Sequence, residues 1–345
     1  MKAAILEDGD LQIRDVPIPE VPRDAALVKL SVAGVCHSDL HLARGDWPEH
    51  YLPPGPNGLG HEGIGIVERL GDGAEQFVRE GDRVILGLGG TGGGYWCGAC
   101  EFCLSGRPRL CSHAKPLLGT YAEYVSVWAP ALVKLPDEIG NEHVPLACAG
   151  LTAYSAVKKL HRSGILPGKP VAIVGAAGGL GHYAVQIANA FGYEVIGVDV
   201  GEDRIDFVRS LGAASAYDIG EAVGRIKKEH GGAYGSIVFA GRVDAFALGL
   251  KLLRRGGLFV GVGMPALQEG ALGIVPIELL SRDTTIMFSA VGTVEDMREL
   301  VHLVAAGRIE THVGRTGAMS ELNEIFAELE GGAYAGRAII DRLQD

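Results

Sequence analysis

A strand, a glycine loop and an acid in fixed order constrain this chain more than any other feature. Val171-Ala172-Ile173-Val174 is all apolar, as in a strand buried on both faces. It runs into Gly175-Ala176-Ala177-Gly178-Gly179-Leu180-Gly181, after which Leu180, Ala184, Val185, Ile187 and Ala188 fall at helical spacing. Small residues there let backbone amides approach a pyrophosphate, and the start of a helix adds a favourable dipole. Asp199 closes the next strand, 18 residues past Gly181. A carboxylate at that place accepts hydrogen bonds from both ribose hydroxyls and repels a 2′-phosphate, which favours NAD over NADP. Arg204, close by, is the residue that could serve an added phosphate instead.

The alternation continues with a helix carrying Ile205, Phe207, Val208 and Leu211 and with strands at 237–239 and 258–262. Strands and helices at this spacing predict an α/β fold with a parallel, doubly wound Rossmann sheet. The first 150 residues read differently. Short β segments at 26–32, 63–68 and 82–86 are separated by Pro and Gly, as in a strand-rich domain with irregular loops. Beyond residue 290 come amphipathic stretches at 294–306 and 320–329 and a last strand at 337–340. A chain of 345 residues suits two domains.

Six cysteines stand in this chain. Cys97-x2-Cys100-x2-Cys103-x7-Cys111 places four thiolates in one short loop, enough to close a tetrahedron around zinc and leave no position for substrate. That is a structural site, and Gly94, Gly98 and Gly106 give its loop a permissive backbone. The other two cysteines, Cys36 and Cys148, with His61, form a dispersed trio that could hold an open, catalytic zinc. Taken singly, each also reads as an ordinary buried Cys or a satisfied His. Gly89–Gly94 looks like a phosphate loop, but no helix pattern follows it, so it reads as flexible backbone.

The formal charge of −11 comes without any block of Lys or Arg, which argues against a nucleic-acid partner. An acidic pair at Glu7-Asp8 arrives too early for a secretory signal, and no apolar run has the length of a membrane span. The expectation is a cytoplasmic protein without a membrane partner, its cysteines serving as metal ligands and not as disulfides.

Taken in order, these motifs resemble the zinc-dependent medium-chain dehydrogenase family, and within it the microbial alcohol dehydrogenases. The residues that carry the resemblance are Gly60-His61-Glu62, the four-cysteine loop, the segment 145–150, the dinucleotide fold, Val262-Gly263-Met264-Pro265 and Gly336-Arg337. It covers almost the whole chain. The resemblance implies a GroES-like catalytic domain from residues 1–150 and 290–345, with an NAD-binding Rossmann domain at 151–289 inserted between. It implies two zinc ions: a structural one on Cys97, Cys100, Cys103 and Cys111, and a catalytic one on Cys36, His61 and Cys148. Glu62 would be a nearby carboxylate able to join the ligands for a time. Asp39 would fix the tautomer of His61. Ser38 would pass the alcohol proton on, and His41 would relay it to solvent. His37 and Arg337 would sit on the pyrophosphate and Val262 beside the cofactor, with Gly175, Gly178, Gly179, Leu180 and Gly181 as its loop. Trp47 and Tyr51 would line the substrate pocket.

The activity so implied is reversible, NAD-linked oxidation of a primary or secondary alcohol by a homotetramer or homodimer. The glycine run before Cys97 suggests a roomy cleft for bulky or aromatic substrates. A polyol, aldehyde or acyl-thioester dehydrogenase on the same scaffold is the alternative; a zinc-free reductase and a zinc-stabilised binding module fit the sequence less well.

Overall fold

A computed structural model describes residues 1–48, 58–86 and 90–345. Tyr51 and Gly89 therefore lie outside the described residues. The chain divides into two compact units: Met1–Leu151 with Val291–Gly307 and Thr311–Asp345, and Thr152–Ala290 with Arg308–Glu310.

The first unit is built on a seven-stranded sheet. Its centre is the long strand Ala25–Val35, flanked by Glu62–Leu70, by Tyr124–Trp128 and by the late strand Arg337–Arg342. With neighbours on both sides, Ala25–Val35 is covered along most of its length, and only Lys29 and Ser31 reach solvent. Where its sequence alternates apolar and polar residues, over 28–32, burial alternates with it, and the runs on either side are buried throughout. The buried face packs Val28, Leu30, Leu59, Leu86, Tyr121 and Ile340 into one apolar core.

The glycine run differs from its reading as flexible loop. Gly90–Tyr95 is a strand antiparallel to Lys115–Leu117. Glycine is a poor strand former by itself. Here the partner backbone comes so close that a Cβ on Gly94 would lie 2.9 Å from the Pro116 carbonyl carbon, so the pairing tolerates no side chain.

The second unit carries a six-stranded sheet whose registers are all parallel. Pro170–Val174 lies inside it, between Glu194–Asp199 and Ala233–Val238, and is buried at every position, as its unbroken apolar sequence predicts. Helix Gly181–Ala190 connects Pro170–Val174 to Glu194–Asp199. The doubly wound expectation is therefore met.

Candidate metal centre and dinucleotide site

Strand register assembles the first site. Gly34 pairs with Glu62 on one side and with Ile339 on the other, while Val35 pairs with Ala338. Three strands distant in sequence thus bring Cys36, His61, Glu62 and Arg337 to one end of the sheet. Cys36 closes its strand with extended backbone and caps helix His37–Arg44. Cys148 comes from the junction between the short helix Asn141–Ala147 and helix Ala149–Arg162. The ligand atoms of Cys36, His61, Glu62 and Cys148 all lie within 4.8 Å of one another, and all four residues are buried.

The tautomer of His61 follows from its partner. Nδ1 lies 3.0 Å from Asp39 Oδ1, and a carboxylate has no proton to give, so Nδ1 must carry the hydrogen. Asp39 is fully buried and also accepts from the Gly60 amide at 3.0 Å and from the Tyr121 hydroxyl at 2.9 Å. Gly60 makes this possible. Its φ of +87° is a left-handed conformation, and a Cβ there would stand 2.6 Å from Thr120 Oγ1. Nε2 of His61 is left with its lone pair, buried, and without a hydrogen-bond partner among the described residues.

The charges around it are arranged for a cation. Cys36 is held well below the ordinary thiol range, chiefly by a hydrogen bond from Cys148, which outweighs burial, with the Arg337 guanidinium adding to it. Cys148, as the donor of that pair, is pushed well up. Burial drives Glu62 up to about 7 against the pull of Arg337. Arg337 Nη2 reaches both Glu62 carboxylate oxygens at 2.6 Å and the Val35 carbonyl at 2.8 Å. Two sulfurs and an unpartnered imidazole nitrogen are the donor set of zinc with an open position, so these residues fit that ion.

Cys97, Cys100, Cys103 and Cys111 form a second group within the same 4.8 Å limit. Backbone amides point at the sulfurs: Cys100 N to Cys97 Sγ at 3.3 Å and His113 N to Cys111 Sγ at 3.4 Å. The amides of Ala99 and Cys100 bring Cys97 down to about 6, so it stands ready as a thiolate. Gly98 and Gly106, both at positive φ, turn the loop around the group. Four sulfurs leave no open position, which fits a structural zinc.

In the second unit the glycine loop is drawn tight. Gly175 N donates to Val198 O at 2.9 Å and Gly178 N to Gly175 O at 3.1 Å. Asp199 accepts from Ala177 N at 2.7 Å and Val200 N at 2.9 Å, and its Oδ1 lies 3.7 Å from Arg204 Nη1. Leu180 caps the helix that Gly181 opens. Val262, at the end of strand Leu253–Gly261, is held by a hydrogen bond to Val238 O at 3.0 Å.

Both halves of this architecture are matched by family models. Residues 22–137 match the alcohol dehydrogenase GroES-like domain and residues 179–306 the zinc-binding dehydrogenase domain. An alcohol dehydrogenase of Geobacillus stearothermophilus is 36% identical, with 99% of each chain covered. The chain belongs to the zinc-binding alcohol dehydrogenase family. Among solved members, the alcohol dehydrogenase of the archaeon Aeropyrum pernix superposes with a TM-score of 0.90 at 34% identity, covering 99% of both chains. The acetophenone reductase of Geotrichum candidum, solved with NAD, gives a TM-score of 0.84 at 30% identity over 100% of this chain and 98% of its own.

For this member of the family, the remaining sequence-derived site residues fall as follows. Ser38, half-buried, and Asp39 lie in the first turn of helix His37–Arg44, beside Cys36, and His37 is exposed. His41 sits one turn on, its Nδ1 2.7 Å from Asp46 Oδ2. Trp47 packs partly into the core and stacks on the His41 ring, with centroids 4.9 Å apart. Three contributors escape sequence reasoning: Tyr121, which holds Asp39; Gly34, over whose Cα the Glu62 carboxylate lies; and Asp46. Only Asp46 has a local signal, a glycine directly before it at the end of a helical pattern.

Proposed function

We propose that this protein is a zinc-dependent, NAD-linked alcohol dehydrogenase that interconverts primary or secondary alcohols with aldehydes or ketones. The observation that carries this reading is the buried, unpartnered Nε2 of His61 facing the Cys36 and Cys148 sulfurs. Zinc bound there supplies Lewis acidity that brings the alcohol proton within reach of neutral pH, and NAD supplies the hydride acceptor.

The chain's own residues do the rest. Asp39 holds the imidazole of His61 with its lone pair toward the thiols. Glu62, steadied by Arg337, is a reserve carboxylate beside the ligands. Ser38 accepts the alcohol proton, and His41 releases it to solvent. Gly175, Gly178, Gly179, Leu180 and Gly181 cradle the pyrophosphate, while Asp199 takes the ribose hydroxyls and Val262 borders the nicotinamide. The first unit is thus the catalytic domain and the second the cofactor domain. Arg204 already leans on Asp199 through their ion pair, which favours its serving the NAD ribose over an added phosphate.

Trp47 and Tyr51 are proposed to line the substrate pocket, and the glycine run at 90–94 to leave it wide. Likeness to an acetophenone reductase agrees with bulky or aromatic substrates. We place the protein in the cytoplasm as a homodimer or homotetramer. No described helix is long and apolar enough to cross a membrane. Phe288, on the edge strand Thr285–Phe288, and Ile274, Val275, Ile277 and Leu280 before it in the chain are exposed apolar side chains, of a kind that a second copy could cover.

The test is a panel of alcohols and carbonyls run with NAD and with NADP, alongside a zinc count on the purified protein. Two zinc ions per chain and turnover with NAD are expected. A zinc count near zero, with activity confined to activated alkenes, overturns the reading. His61→Ala should lose one zinc and all turnover while still binding NADH. Gly93→Phe should narrow the panel toward short alcohols.

A further inference from the structure

Helix His37–Arg44 ends in a reversal that no metal ligand requires. Gly45 takes φ +68°, the left-handed conformation, its amide bonds Leu42 O at 3.3 Å, and the Asp46 amide bonds His41 O at 3.0 Å. The turn folds the next two residues back over His41. Asp46 Oδ2 comes to 2.7 Å from Nδ1, and the Trp47 ring stacks on the imidazole at 4.9 Å with 29° between planes. The His41 and Asp46 side chains keep only 19% and 22% of their exposure, so this is not a solvated surface pair. Trp47 in turn is anchored on the apolar core.

The carboxylate can only accept, so Nδ1 keeps its hydrogen and Nε2 is the ring's acceptor. Asp39 imposes the same tautomer on His61 in the metal pocket. We propose that Asp46 is a positioning residue for His41, holding the ring in the tautomer and orientation that proton release needs, with Trp47 as the plate behind it. This rests on the reading of His41 as the relay. A proton arriving at Nε2 makes the imidazolium, whose Nδ1–H stays on Asp46, and the Nε2 proton then leaves to water. Among the described residues, the other charged or titratable groups facing this corner are His37, with ring centroids 6.4 Å from His41, and the Arg44–Glu330 ion pair, in which Glu330 comes from helix Leu322–Gly331.

The experiment compares Asp46→Asn, Asp46→Glu, His41→Gln and the double variant D46N/H41Q, each as zinc-loaded full-length enzyme. The readout is the single-turnover rate of NADH formation from benzyl alcohol at pH 7, with melting temperature and NADH affinity as controls. D46N should slow the rate about tenfold, D46E should recover part of it, and D46N should add nothing once His41 is Gln. An equal loss from D46N in the H41Q background overturns the proposal, because Asp46 would then act by another route. A slow H41Q beside an unimpaired D46N overturns it as well and leaves the relay standing. H41Q at the wild-type rate removes the relay, and the positioning role with it.

Discussion

Arg337 Nη2 lies 2.6 Å from both carboxylate oxygens of Glu62, 275 residues earlier in the chain and equally buried. The contact is made by register, because the two side chains stand on strands either side of Gly34-Val35. Gly34 is the space between them: a Cβ there would fall on the Glu62 carboxylate. Arg337→Ala would leave a buried carboxylate without its cation. The expected loss is about 3–5 kcal/mol of unfolding free energy by chemical denaturation. Adding Glu62→Gln to Arg337→Met should cost less than Arg337→Ala alone, since no charge is then stranded. A single variant as stable as the wild type would show that the pair is not what holds this end of the sheet.

Removing one ligand from the four-cysteine loop tests a separate claim. Trp96 immediately precedes Cys97 and packs edge-on against Trp128 at 4.4 Å, so the loop has its own optical reporter. Cys100→Ser should take the zinc count from two to one, change the tryptophan emission and lower the melting temperature. Alcohol turnover, measured below that melting temperature, should survive. Loss of both ions together would mean the two sites are not independent, and an unchanged emission would mean the zinc does not hold the loop around Trp96.

Much of this architecture is written locally. The buried strand Pro170–Val174 and the loop after it announce themselves because a pyrophosphate-binding turn needs small residues in a row. The four-cysteine loop is equally plain, since all its ligands fall within 15 residues. Cys36, His61 and Cys148 are another matter. No spacing joins them, because what unites them is a strand register and a helix junction. Tyr121 and Gly34 are invisible in the sequence for the same reason. The strand Gly90–Tyr95 defies a local reading because glycine's intrinsic preference opposes it, and a neighbouring backbone at close range overrides that preference. Resemblance makes Trp47 a pocket residue; its stacking on His41 depends on a turn at Gly45 that a helix pattern ends at but does not describe.

Acid should loosen the cofactor unit at a nameable point. Asp218 caps helix Ile219–His230 by accepting from Gly220 N at 3.0 Å, and its other oxygen accepts from Gly201 N at 3.1 Å, two residues past Asp199. These amides, Gly220 first, hold its carboxyl below the ordinary value of 3.8. The sign follows from proton counting: the unfolded chain binds a proton more readily, so the stabilisation is full above 3.8 and drains away as pH falls through the folded value. Asp218→Asn keeps an acceptor but no charge. Its melting temperature should lie below wild type at pH 6, with the gap closing as the pH is lowered toward 3. A gap that stays constant with pH would mean the carboxylate charge contributes nothing.

The glycine loop offers a paired comparison that separates crowding from contact with the cofactor. A Cβ on Gly181 would stand 2.7 Å from the Ala176 Cα and closer still to the Gly175 carbonyl oxygen. Neither atom can yield without moving the loop. A Cβ on Gly178 would meet only the Gly175 carbonyl oxygen, at 3.3 Å, and a shift of a few tenths of an ångström relieves it. Gly181→Ala should therefore destabilise the protein by about 1–3 kcal/mol and weaken NADH binding along with it. Gly178→Ala should leave the melting temperature nearly unchanged, so any rise in its NADH dissociation constant reports a residue at the pyrophosphate and not a distorted loop. The two measurements, fluorescence titration with NADH and thermal melting, decide between these roles. Should Gly178→Ala prove the less stable variant of the two, Gly181 is not the tighter of the two positions and crowding does not explain its glycine.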